Sequence, residues 1–78
     1  MTRGDIYYYG RALSSGVFEI CELKINTITS NYFTGVDKRD KRTYLFDNSD
    51  IDKIVFKNRQ DALNYIRDKE SKYNEANS

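Results

Sequence analysis

The stretch VFEICELKINTIT, Val17–Thr29, decides how this chain folds. Successive side chains of a β-strand point to opposite faces. Phe18 and Ile20 share one face, with Glu19 opposite; Cys21, Leu23 and Ile25 then take the other, opposite Glu22, Lys24 and Asn26. The apolar face therefore switches between Ile20 and Cys21. A bulge or a sharp bend produces such a switch, and strongly bent strands are how very small sheets close on themselves.

Upstream, Ile6 to Leu13 reads as a strand containing three tyrosines in a row. Ile6, Tyr8, Gly10 and Ala12 share a face that narrows to small residues and ends at the turn Ser14-Ser15-Gly16. That pattern suits a strand crossing another strand closely, with Gly10 as a bulge or bend. It predicts Ile6, Tyr8 and Ala12 inward, with Tyr7, Tyr9 and Arg11 outward.

Downstream, Ser30-Asn31 marks a turn, followed by strands at Tyr32–Asp37 and Thr43–Phe46 around the polar hairpin tip DKRDKR, Asp37–Arg42. Asp47-Asn48-Ser49-Asp50 is dense in turn residues. Lys53 to Lys57 reads as a fifth strand. Asn58 suits a helix N-cap, with Asp61 three residues on in a variant of the capping box. Ala62, Leu63, Ile66 and Tyr73 recur at helical spacing, and Asp68 and Lys72 form an i,i+4 pair on the outside. The pattern predicts a helix over about 59–74 and a frayed tail at 75–78.

The chain is thus expected to be a single α+β domain over 1–78. Its expected form is a small, strongly bent antiparallel five-stranded SH3-like barrel or half-barrel with one C-terminal helix. A five-stranded sheet with the helix laid flat on it is the competing arrangement.

Composition narrows the chemistry. Thirteen basic and twelve acidic residues leave a net charge of +1, which does not point to a polyanion partner. No apolar run approaches the roughly 20 residues of a membrane span. The start MTRGDIYYYG lacks the apolar stretch of a signal peptide, and the lone Cys21 can form no internal disulfide. An intracellular location is therefore expected. Histidine, the commonest general base and metal ligand, is absent. Asp47, Asp50 and Asp52 lack the spacing of an EF-hand loop. No glycine-rich phosphate loop is present, and Cys21 sits among apolar strand residues as a packing group. Neither enzymatic activity nor a cofactor or metal is expected.

Two sets of residues are candidates for binding. Tyr7, Tyr9 and Arg11 form a row suited to anchoring a protein partner or stacking on nucleic-acid bases. The bland alternative is that the helix covers the tyrosines or that they make cross-strand pairs. Lys38, Arg39, Lys41 and Arg42 cluster at the hairpin tip, where they could meet phosphates or an acidic protein, or simply form internal ion pairs in solvent.

The succession YYYGR, VFEICELKI, YFTGVDKRDKRTYLF and IVFKNRQDALNYI resembles short uncharacterised proteins of low-GC Gram-positive bacteria and their phages, in which a β-unit is followed by a VFxxRxxA helix start, here Val55, Phe56, Arg59 and Ala62. The resemblance implies a small stand-alone protein in the cytoplasm of a bacterial host cell. By analogy it implies a phage-encoded inhibitor of a host defence protein, of the anti-CRISPR or another anti-defence type, acting by protein–protein occlusion. An SH3-like RNA- or DNA-binding domain is the alternative function, and a sponge for a signalling nucleotide the second alternative. Self-pairing into a homodimer through a strand edge, such as that of Lys53–Lys57, is also expected.

Overall fold

The computed structural model describes residues 1–76, with side chains described as far as Lys72. Its elements are β1 (Ile6–Ser14), β2 (Val17–Ile28), β3 (Tyr32–Asp37), β4 (Thr43–Asp47), a 3-10 turn (Asn48–Asp50), β5 (Val55–Phe56) and α1 (Arg59–Ala76). The fold is α+β: one antiparallel five-stranded sheet, in the order β4-β3-β2-β1-β5, and one C-terminal helix. The sheet is not closed, since β4 and β5 remain its two edges. The Tyr73 position on the helix lies beyond the described side chains. The tail expected to fray includes Glu75 and Ala76, which belong to α1, and 77–78, which lie outside the described residues.

The face assignment of β1 is the reverse of the sequence expectation. Tyr7 is a core residue, only 6% exposed, whereas Ala12 is exposed and Ile6 and Tyr8 are half-buried. Tyr7 pairs with Leu23, and Leu23 with Asp37, so these share the inner face. The core contains Tyr7, Cys21, Leu23, Ile25, Phe33, Phe46 and Val55, with Tyr9, Tyr44, Ile51 and Ile54 packed around it. No helix supplies this core; the sheet curls over its own inner face. Three strand spacings separate β1 from β4, about 14 Å in a flat sheet. Yet the Tyr9 and Phe46 rings lie 4.9 Å apart, nearly edge to face, and Tyr9 and Tyr44 5.8 Å apart.

The helix lies on the opposite, outer face, over β1, β2 and β5. Tyr65 meets Phe18 edge-on at 6.4 Å and Phe56 at 5.5 Å. Gly10 is where this contact needs a missing side chain: a Cβ there would lie 2.7 Å and 2.9 Å from Tyr65 ring carbons and 3.4 Å from Ile66. The narrowing of Ile6, Tyr8, Gly10 and Ala12 does mark a close crossing, but the crossing element is the helix.

This two-sided burial also corrects the expected switch at Ile20 and Cys21. Pairing with β1 runs without a break through Gly10↔Ile20 and Tyr9↔Cys21. The strand is apolar on both faces in turn because Phe18 and Ile20 lie on the helix side and Cys21, Leu23 and Ile25 on the inner side. The irregularities sit elsewhere, between Ala12 and Ser14 on β1 and between Ile25 and Ile28 on β2.

Turn chemistry follows the sequence closely. Asp47 caps the 3-10 turn, accepting the Ser49 N–H, while Asp50 accepts the Asp47 N–H in a reciprocal capping box. The Asn58 carbonyl accepts the Ala62 N–H at the helix start, and Asp68 meets Lys72 at 3.1 Å. The expected fifth strand contracts to Val55–Phe56 because Asp52, in the left-handed region at φ 65°, and Lys53 are used in a turn.

Candidate binding surface

The expected row of Tyr7, Tyr9 and Arg11 does not form a free surface. Tyr7 is inside, and burial, the main cause, raises its hydroxyl above the ordinary tyrosine value, aided by Asp5 and Asp52. Tyr9 is half-buried against Tyr44 and Phe46. Only Arg11 reaches the rim of the inner face. Its guanidinium lies 5.6 Å from the centre of the Tyr44 ring, and its Nη1 pairs with Glu19 Oε1 at 3.2 Å.

The hairpin tip joins this rim. Asp37 Oδ1 accepts the Arg39 N–H at 2.7 Å, and Asp40 Oδ1 accepts the Arg42 N–H at 2.9 Å. Lys41 takes the left-handed conformation at φ 63° that reverses the chain. Arg39 is thereby aimed back at Glu19 Oε2, 2.9 Å away, so one carboxylate holds Arg11 and Arg39 together. The hydrogen bond from Arg39, then its charge and that of Arg11, lowers the Glu19 carboxyl despite some desolvation. Lys38 turns the other way, to Glu22 at 2.9 Å. Two of the four tip cations thus have carboxylate partners. Such exposed pairs, screened by solvent, add little to stability, and they leave Lys41 and Arg42 as the tip cations without an ion pair among the described residues.

Beneath the rim, Asp37 is 2% exposed. Burial opposes its ionisation, but the backbone N–H of Arg39, the Cys21 thiol and the backbone N–H of Asp40 outweigh it and hold the carboxyl below its ordinary value. Asp37 Oδ2 has no hydrogen-bond partner in this geometry. The Cys21 thiol is directed instead to Glu19 Oε1, 3.7 Å away.

Two predictions arise here. Burial, reinforced by Asp37 and Glu19, pushes the Cys21 thiol up to about 12. A thiolate is the reactive form, so a thiol-alkylating reagent near neutral pH should label the native protein only as fast as it unfolds, and the urea-unfolded protein at once. Rapid labelling of native protein contradicts that placement. The second concerns acid. Asp37, Glu19 and Asp47 all have carboxyls depressed in the folded state. Their stabilisation is therefore complete above the unfolded-state value and is lost as pH falls through the folded value. Urea midpoints should fall as the pH drops below the unfolded-state carboxyl value of about 4, with a shallower fall in Asp37→Asn.

The more open surface is one the sequence reading assigned to the core. Cross-strand pairing places Ile6, Lys24, Val36 and Thr43 in one row across β1 to β4 on the outer face. Tyr8 and Glu22 pair beside it, as do Thr34 and Leu45. Ile6, Tyr8 and Val36 remain half-buried, and Leu45 is 68% exposed. A groove of about 540 Å³ lies beside the irregularity after Ile25, lined by Arg3, Gly4, Lys24, Ile25, Asn26 and Val36. Two cations thus share it with the apolar Ile25 and Val36. The one available sequence signal was the alternation Ile6/Tyr8 against Tyr7/Tyr9, which does not say which face is covered.

Comparison of the chain with protein-family models, with curated protein sequences and with solved structures found no match. Among the described residues no helix is long and apolar enough to cross a membrane.

Proposed function

We propose that the protein is a non-enzymatic binding protein that occludes a surface on a larger protein, and that the contact is made by the outer face of β1 to β4. The observation that carries this reading is the groove lined by Arg3, Lys24, Ile25 and Val36, whose row ends at Thr43 beside the Thr34 and Leu45 pair. A partner of matching chemistry offers an acidic segment with an apolar anchor. Aromatic and aliphatic anchors inside a charged rim are the usual composition of such contacts. Inhibition of a host defence protein, in the cytoplasm of a bacterium, is the sharpest form of the proposal.

A non-enzymatic role accords with the sole thiol being held protonated and buried. The nucleic-acid reading is weakened by the tip, where Glu19 and Glu22 already occupy Arg39 and Lys38. The finer fold reading, an SH3-like half-barrel, is supported by the curl of the sheet, by its order, and by the 3-10 turn that precedes the short strand pairing back onto β1.

The test is capture from bacterial lysate, treated with nuclease, on immobilised protein. Arg3→Glu combined with Lys24→Glu should abolish retention of the partner, whereas Lys41→Ala combined with Arg42→Ala should leave it intact. Retention unaffected by the first pair, or recovery only of nucleic acid before nuclease treatment, overturns the proposal.

A further inference from the structure

The two edges of the sheet differ in a way that points to a specific partner. At the β5 edge the strand is two residues long, both buried, with Phe56 packed under Tyr65 of the helix. The expectation of pairing through Lys53–Lys57 fails there, because a buried two-residue edge offers no ladder. The β4 edge is five residues long, pairs with β3 in unbroken register, and contains no proline or bulge. Natural edges of that kind are commonly blocked or filled.

The direction of its free groups follows from the register. Asp37 and Arg42 stand opposite each other, extending the Val36↔Thr43 pair, and the Asp37 N–H donates to the Arg42 carbonyl at 2.9 Å. In an antiparallel ladder hydrogen-bonded and non-bonded pairs alternate. Tyr44 and Phe46 therefore direct their amides to β3, and Thr43, Leu45 and Asp47 direct theirs to the open edge. The Asp47 N–H is taken by the Asp50 carboxylate at 3.1 Å, as an outward amide requires. Thr43 and Leu45 keep both backbone groups pointing away from the sheet.

The charge along this edge is polar end to end. Lys41 and Arg42 precede the strand, and Asp47 and Asp50 close it, with the 68%-exposed Leu45 in the middle. We infer that β4 pairs with β4 of a second copy of this chain, antiparallel about a two-fold axis at Leu45. That register sets Leu45 against Leu45, which exchange both backbone bonds, and Thr43 against Asp47, where the Thr43 N–H donates to the Asp47 carbonyl while the Asp47 N–H stays on Asp50. It also brings the basic end of each edge to the acidic end of the other. A parallel arrangement would oppose like charges at both ends. The pairing is self-complementary, as a two-fold interface must be, and it joins two curled sheets into one continuous ten-stranded sheet.

The test combines sedimentation with cysteine cross-linking on the full chain. Wild-type protein should sediment as a dimer that weakens as salt rises. Lys41→Glu combined with Arg42→Glu should weaken it by about tenfold or more. Under mild oxidation Leu45→Cys should give a disulfide-linked dimer. Thr34→Cys, one strand in and about 14 Å from its own copy, should not, nor should wild type, whose Cys21 is buried. A monomer at every concentration overturns the inference, as does a dimer indifferent to the charge reversal or cross-linked by Thr34→Cys and not by Leu45→Cys. These variants leave Arg3 and Lys24 unchanged, so loss of the dimer and loss of partner retention are read on different variants, while Leu45 borders both surfaces.

Discussion

Tyr7→Ala should destabilise the protein by about 3–5 kcal/mol, the usual cost of emptying a large aromatic from a core, while Tyr8→Ala should cost about 1 kcal/mol or less. Tyr7 is 6% exposed, pairs with Leu23, and belongs to the same cluster as Phe33 and Phe46. A domain of this size has about 5–10 kcal/mol of stability in all, so the first change removes a large part of it. The ring carries the effect. No hydrogen bond from the Tyr7 hydroxyl is found among the described residues, so Tyr7→Phe should lie within about 1 kcal/mol of wild type. Tyr8 stands on the outer face beside Glu22 and Phe56 and keeps partial contact with solvent. Urea unfolding midpoints of the three variants decide the matter. If Tyr8→Ala proves the costlier change, the face assignment of β1 is wrong.

The second large effect is at Gly35, between Ile25 on β2 and Tyr44 on β4. Alanine is ordinarily preferred to glycine inside a strand, by roughly 0.5–1 kcal/mol. Here packing reverses the sign. A Cβ at Gly35 would lie 2.9 Å from the Leu23 Cβ and 3.2 Å from its Cδ1. Leu23 is 0% exposed, and its Cβ cannot move without its backbone. Gly35→Ala should therefore cost about 1–3 kcal/mol, the range for overpacking a filled core, and Gly35→Val more. Gly10→Ala makes the control. Its clash is with the ring of Tyr65, a half-buried side chain that can swing aside, so its cost should be the smaller of the two. A stabilised Gly35→Ala protein would show that the inner face is looser than the contacts describe.

Much of the fold was legible because its signals are local. The strand at Tyr32–Asp37 is found where its alternation placed it, and the strands around it differ by one residue at an end. The aspartates and asparagine after Phe46 form the expected turn because their short side chains accept nearby backbone N–H groups. What the sequence does not encode locally is which face of a sheet is covered, and by what. Ile6, Tyr8 and Gly10 looked like core because they shrink toward a close contact. That contact exists, but it belongs to Tyr65 and Ile66, more than fifty positions away in the chain. The apparent change of phase at Ile20 and Cys21 has the same origin, since a strand buried on both faces reads like a bent one. The candidate site suffered accordingly: Arg11 and Arg39 are joined, but by Glu19, which no spacing rule would select as the bridge.

The position of β1 has a consequence for how the chain reaches this structure. β2, β3 and β4 each pair with the preceding strand across a short turn, and such hairpins form in about 1–10 μs. β1 alone also takes a partner from far along the chain, through Tyr8↔Phe56 and Tyr9↔Val55. That closure spans the chain from Tyr8 to Phe56 before it yields two pairs of residues, and the loop entropy must be met first. The rate-limiting barrier to folding should therefore lie at the β1–β5 junction. The flank of β1 opposite β2 therefore stays open until Val55 and Phe56 have been synthesised and can dock on it.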